Sequence, residues 1–170
     1  MAIWTSRYSN KKLQNGNYFC VGISIGKPRF PLGYTIQEQC FSLAPKGYML
    51  NMELEPFKKE YHQKLEGIGK EKIINMVMRF DETARKEGKE LVLLCYEDVR
   101  IPEDWCHRTV FAEWWAKNVG EIIEELDDPT PPKIKKPKQP KEDNEQPARP
   151  QVEKKDNGYQ QMSLFGLAGF

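Results

Sequence analysis

The chain reads as an α/β protein, a single three-layer domain with a mostly parallel sheet, followed by a disordered Pro/Lys/Glu-rich tail. Three observations predict this. Short β-branched and apolar runs alternate with segments of helical period. One run, Leu91–Cys95, has no polar break, which suits a strand covered on both faces. Seven of the twelve prolines fall between Pro129 and Pro150, where large apolar residues almost vanish.

The elements follow in order. Residues 2–5, AIWT, read as a short buried strand. Tyr18–Ile25, YFCVGISI, is a stronger one, bounded by Asn-Gly-Asn and Gly-Lys-Pro. Gly47–Met52 fits a third strand, and Pro56–Leu65 a helix. Lys70–Lys86 is a longer helix, with Ile73, Ile74, Val77, Met78 and Phe80 near helical spacing and Gly88 as its stop. Lys89–Glu97 is the clearest strand. A last helix spans about Asp104 to Asn118, with Asp104 as N-cap, Pro102 before it and Gly120 beyond its end. Glu121–Leu126, EIIEEL, fits an edge strand or a final helical turn equally well.

Composition divides the chain at the same place. The segment from Pro129 to Gly158 carries eight basic and five acidic side chains. The whole chain is +1, so the remainder is about −2. A near-neutral domain over residues 1–128 is poorly suited to wrapping duplex DNA by charge alone. Residues 129–158 cannot bury enough surface to offset ordering entropy and read as a linker. The sequence has no run of about twenty apolar residues that would span a membrane, and its opening lacks the order of a signal peptide. Cys20, Cys40, Cys95 and Cys106 are therefore expected as free thiols in a reducing cytoplasm.

In parallel sheets ligands bind beyond the carboxyl ends of the strands. That directs attention to the loops after Thr5, Ile25 and Cys95, and above all to Leu93–Arg108, LLCYEDVRIPEDWCHR. Here a strand ends, a loop follows, and a helix opens on Cys106, His107 and Arg108. A first helical turn offers free N–H groups and a partial positive potential, which favours thiolates and phosphates. Arg108 can grip an oxyanion there through paired hydrogen bonds, and Glu97 or His107 can move a proton. Each residue has a plainer reading. Cys95 and Cys106 are buried small hydrophobes, and Glu97 is an ordinary charge beside a helix. The Cys and His spacing contains no C-x2-C or H-x3-H pair, so neither a metal nor another cofactor is expected. Gly22–Pro28 imitates a P-loop but is one residue short, with Pro in place of the hydroxyl residue. Trp114–Trp115 suits either base stacking or, more simply, one core and one partly exposed ring.

The residues Leu94–Cys95–Tyr96–Glu97 and Cys106–His107–Arg108 resemble the signature of the DUF488 family, small α/β proteins of bacteria, archaea and phages. That family opens with a strand similar to Ile3–Asn10 here, IWTSRYSN, although Arg7 and Tyr8 stand where it has Gly-His. The resemblance covers about residues 2–126 and adds Ser9 and Asn10 as site candidates. The family's second strand is less well matched: around Pro28 and Arg29 its acidic and first basic positions are missing.

The segment 159–170 holds Gln161–Met162–Ser163–Leu164–Phe165. This resembles the peptide that docks on the bacterial sliding clamp, with Met in place of the favoured Leu. Gln161 would bond at a pocket rim while Leu164 and Phe165 fill apolar subsites. Gly166–Leu167 do not supply the paired aromatic of the eukaryotic counterpart, which favours a bacterial or phage setting. The leading expectation is a DNA- or nucleotide-processing enzyme, hydrolytic or base-modifying, recruited to the clamp and so to the nucleoid. Glu97, Cys106 and His107 would be catalytic, with Arg108 and Arg29 holding phosphate and Cys95 nearby. The alternatives are a non-catalytic clamp-binding adaptor or phage modulator of replication, and a cysteine-based redox or metal sensor.

Overall fold

The computed structural model describes residues 2–102 and 104–133. Residues 134–170, which hold most of the expected linker and all of the docking peptide, lie outside the described residues.

Five strands form one all-parallel sheet in the order β3-β2-β4-β1-β5: β1 Ile3–Arg7, β2 Tyr18–Gly22, β3 Glu38–Gln39, β4 Glu90–Cys95 and β5 Glu124–Glu125. The α/β class is therefore as read. β4 is the centre, paired with β1 and β2, and every residue from Leu91 to Cys95 is buried. Two-sided burial is what its unbroken apolar run requires.

The faces differ in cover. Ile3, Phe19, Val21, Leu91 and Leu93 point to a core shared with three helices, α1 Leu54–Ile68, α2 Lys70–Lys86 and α3 His107–Val119. Tyr18, Cys20, Val92 and Leu94 point to the other side, where Leu13 of a 3-10 turn (Lys11–Asn15), Tyr8, Leu126 and the loop residues Leu32, Tyr34 and Ile36 cover them. All three α-helices thus share one face, and the other is closed by irregular chain.

Several boundaries depart from the sequence expectation. Gly47–Met52 is no strand: Gly47–Asn51 forms a 3-10 turn, because only Met49 in it points inward while Tyr48 and Leu50 face solvent. α3 begins at His107, so its N-cap residue is the extended Cys106, two positions beyond the expected Asp104. β2 stops at Gly22, short of Ile25. The undecided EIIEEL is an edge strand of two paired residues. Trp114 and Trp115 are both buried in the helical core, so neither serves as a stacking platform. All four cysteines are free and buried.

The topology positions the site. Chain leaving β1 travels to β2, on the far side of β4, whereas chain leaving β4 passes through α3 to β5, on the far side of β1. The two connections diverge at adjacent strand ends, which opens a crevice there. Tyr8 follows β1, Ile23 follows β2 and Tyr96–Asp98 follow β4 into it. Backbone bonds from Tyr8 N to Cys95 O (2.8 Å) and from Ile23 N to Leu94 O (2.9 Å) hold the three exits side by side.

Candidate functional site

The buried end of β4 delivers the Cys95 thiol, and the first residues of α3 deliver Cys106 and His107 against it. His107 Nδ1 lies 3.5 Å from Cys95 Sγ and 3.7 Å from Cys106 Sγ. Glu97 is exposed along its length, but its Oε2 turns inward, 2.8 Å from Cys106 Sγ and 3.2 Å from Cys95 Sγ. On the far edge of the imidazole, Nε2 is 2.8 Å from the Ile23 carbonyl oxygen. A carbonyl only accepts, so Nε2 carries a hydrogen and Nδ1 is the ring atom turned toward the two sulfurs. Tyr61 packs edge-on to the ring at 5.8 Å, itself tied by its hydroxyl to the Leu43 carbonyl (2.6 Å).

Two thiols, a carboxyl and an imidazole in so small a space share their charge unequally. The hydrogen bond to Cys106 and burial together push the Cys95 thiol far up. Burial also opposes ionisation of Cys106. The Cys95 and His107 hydrogen bonds and the positive charges of His107 and Arg108 outweigh it and bring that thiol well below its ordinary value. Burial and the nearby Cys106 charge raise the Glu97 carboxyl. One negative charge, centred on Cys106, is the arrangement these shifts describe.

Glu97, Cys106 and His107 of the cluster line a cavity of about 370 Å³ that has Met49, Leu50, Phe57 and Trp105 among its other walls. Phe57 and Trp105 meet at 4.7 Å between ring centroids. This aromatic wall was invisible in the sequence, since it joins the start of α1 to the loop before α3. Its only sequence trace is two large apolar residues flanking predicted helix starts.

The other predicted residues are placed differently. Arg108 is fully buried and its fork is committed to Glu125, Nε to Oε2 at 3.0 Å and Nη2 to Oε1 at 2.8 Å. Its Nη1 has no hydrogen-bond partner among the described residues. The expected oxyanion fork is thus occupied by a structural carboxylate, and Arg108 acts on the site through its charge on Cys106. Arg29 is exposed on the loop after β2, where its charge acts on Tyr96. Asn10 is buried and fully used: it accepts from Lys12 N and donates to Ser6 Oγ and to the Leu126 and Asp127 carbonyls. It pins the chain after β5 to the end of β1. Ser9 beside it is exposed.

Sequence reasoning missed the ion network that braces this end of the sheet. Asp98 receives Arg100 on both oxygens at 2.8 Å, and Arg7 Nη1 at 3.0 Å. Arg7 Nε in turn meets Asp128 at 2.6 Å, and Arg100 Nη1 donates to the Asp128 carbonyl at 2.9 Å. The network joins β1, the loop carrying Glu97 and the end of the domain. A short-range D-x-R pattern (Asp98–Arg100) was its only sequence trace.

No protein-family description, curated protein or solved structure matches this chain.

Proposed function

We propose that this chain is a DNA- or nucleotide-processing enzyme of hydrolytic type, brought to the bacterial sliding clamp by Gln161–Phe165. The observation that carries the enzymatic reading is the convergence of Glu97, Cys106 and His107 on one walled cavity at a reversal of strand order. Parallel sheets keep their chemistry in such crevices. The aromatic wall formed by Phe57 and Trp105, their rings tilted 55° to each other, suits contact with a nucleobase ring. Glu97 is the one polar group of the cluster with solvent access, which fits it for proton transfer to a substrate entering the cavity. Four of the residues that carry the DUF488 resemblance, Cys95, Glu97, Cys106 and His107, gather around the two sulfurs, while Arg108 of the same signature is bound to Glu125. The clamp reading rests on the sequence motif and on the composition of the linker preceding it.

The test has two arms. The full chain is assayed on nucleotides and on oligonucleotides carrying modified or damaged bases, beside Glu97→Gln. Turnover that falls at least about a hundredfold in the variant supports the assignment, since a proton-transfer group contributes on that order. Equal turnover removes Glu97 from the chemistry. In the second arm, a peptide of residues 159–170 is titrated into a bacterial sliding clamp. Micromolar binding, about −8 kcal/mol, that disappears with Leu164→Ala/Phe165→Ala is expected. Clamp binding without turnover on any substrate would select the adaptor reading instead.

A further inference from the structure

The spacing of Cys95, Cys106 and His107 along the chain argued against a metal. Their arrangement in space argues for one, because the sheet brings Cys95 up to the Cys106–His107 pair from another element. We propose that Cys95 Sγ, Cys106 Sγ and His107 Nδ1 form a site for a single zinc-like divalent cation, with Glu97 Oε2 facing its fourth position.

Two edges of the site are close to those around a bound ion before any adjustment. With Zn–S near 2.3 Å and Zn–N near 2.0–2.1 Å, the sulfur–nitrogen edges of a tetrahedron are about 3.6 Å. Here they are 3.5 and 3.7 Å. The three ligand atoms all lie within 4.8 Å of one another and belong to buried residues. The sulfur–oxygen edges, 2.8 and 3.2 Å, are shorter than the tetrahedral value, and the exposed stem of Glu97 allows the small outward swing that an ion requires.

A second feature points the same way. The Ile23 carbonyl fixes the imidazole through Nε2, so Nδ1 is the nitrogen left facing the sulfurs and placed to ligate an ion. A ligating histidine is commonly oriented by just such a bond from its other nitrogen to a backbone carbonyl. Soft sulfur with imidazole selects zinc over magnesium or calcium, which want oxygen. Two thiolates on the ion, with the Arg108–Glu125 pair neutral behind them, leave the buried centre without excess charge. Cys106 enters as the thiolate, and binding displaces to solvent the proton of the Cys95 thiol and any proton on His107 Nδ1 as the two metal–sulfur bonds and the metal–nitrogen bond form. With three protein ligands and a carboxylate that can withdraw, the ion would keep one position for water in the cavity.

The site takes its place from the cavity proposed above as catalytic, but metal content is read without substrate, so either proposal can fail while the other stands. The full chain is purified, stripped with chelator, and titrated with Zn²⁺ and Co²⁺. About one ion per chain is expected. The cobalt form should show the intense visible bands of a tetrahedral site and a near-ultraviolet sulfur-to-cobalt band. X-ray absorption of the zinc form should give two sulfurs at about 2.3 Å with nitrogen or oxygen at about 2.0–2.1 Å. Cys106→Ser, Cys95→Ser and His107→Ala should each weaken binding at least about tenfold, while Cys20→Ala, at a thiol on the other face of the sheet, still binds the ion. Stoichiometry near zero, a Cys95–Cys106 disulfide in the purified chain, or a bound ion lacking sulfur neighbours would each overturn the proposal. The spectra of the unaltered protein decide it even where a ligand variant does not fold.

Discussion

Glu125 is the carboxylate that pairs, among the described residues, with a guanidinium that is 0% exposed, and replacing it tests how the helix bearing the site is held. In Glu125→Ala, Arg108 loses the bonds at 3.0 and 2.8 Å, and Thr5 Oγ1 loses its 2.8 Å bond to the same carboxylate. Arg108 Nη1 already lacks a partner among the described residues, so the buried guanidinium would be left without a side-chain hydrogen bond there. Stranding a buried charge costs about 3–5 kcal/mol. The Glu125 side chain is 31% exposed, so water can reach part of the gap, and the lower end, about 3 kcal/mol, is the better figure. That is a large share of a typical stability of about 5–15 kcal/mol. It corresponds to a melting temperature lower by roughly 10 °C. Urea unfolding followed by tryptophan fluorescence measures it. Arg108→Met/Glu125→Leu should recover most of the loss, because an apolar pair removes the stranded charge. A Glu125→Ala cost below about 1 kcal/mol, the range of exposed pairs, would refute the argument and leave Arg108 free to hold an external anion.

Two further outcomes are expected. The Asp98 carboxyl is held down to about 2, first by its hydrogen bonds from Arg100 and then by the Arg7 charge. Its folded value lies below the unfolded one, so the stabilisation is complete above about pH 4 and is lost as pH falls through about 2. Urea midpoints measured across that window should drop more steeply for the unaltered chain than for Asp98→Asn, and parallel curves would exclude the network as the cause. Gly22→Ala should destabilise by about 1–3 kcal/mol, since the added methyl would overlap Gln39 Oε1 and come 2.6 Å from the Tyr8 hydroxyl. A neutral result in thermal melts would mean that Gln39 swings away freely.

How much was legible in the sequence depended on range. α2 was bounded at both ends by its own period and by Gly88, and β4 by its apolar run. The site's centre was legible too, because a strand end followed by Cys-His at a helix start is a local pattern. The 3-10 turn at Gly47–Asn51 was misread because three apolar residues within four satisfy a strand template, while their actual directions are set by packing around Met49. β3 left no trace, as two residues carry no period.

The sequence by itself determined the alternation of strands and helices, the buried central strand and the residue types gathered near Cys106. It did so because hydrophobic period and capping act over a few residues. Only the tertiary structure decided what those residues face. Arg108 is spent on Glu125, 17 positions away, and Asn10 on the chain at 126–127, both by sheet pairing that brings β5 to β1. Cys95 joins Cys106 and His107, and Ile23 orients the imidazole from 84 residues off. The partner of a polar side chain is set by strand order and register, and no local pattern encodes either.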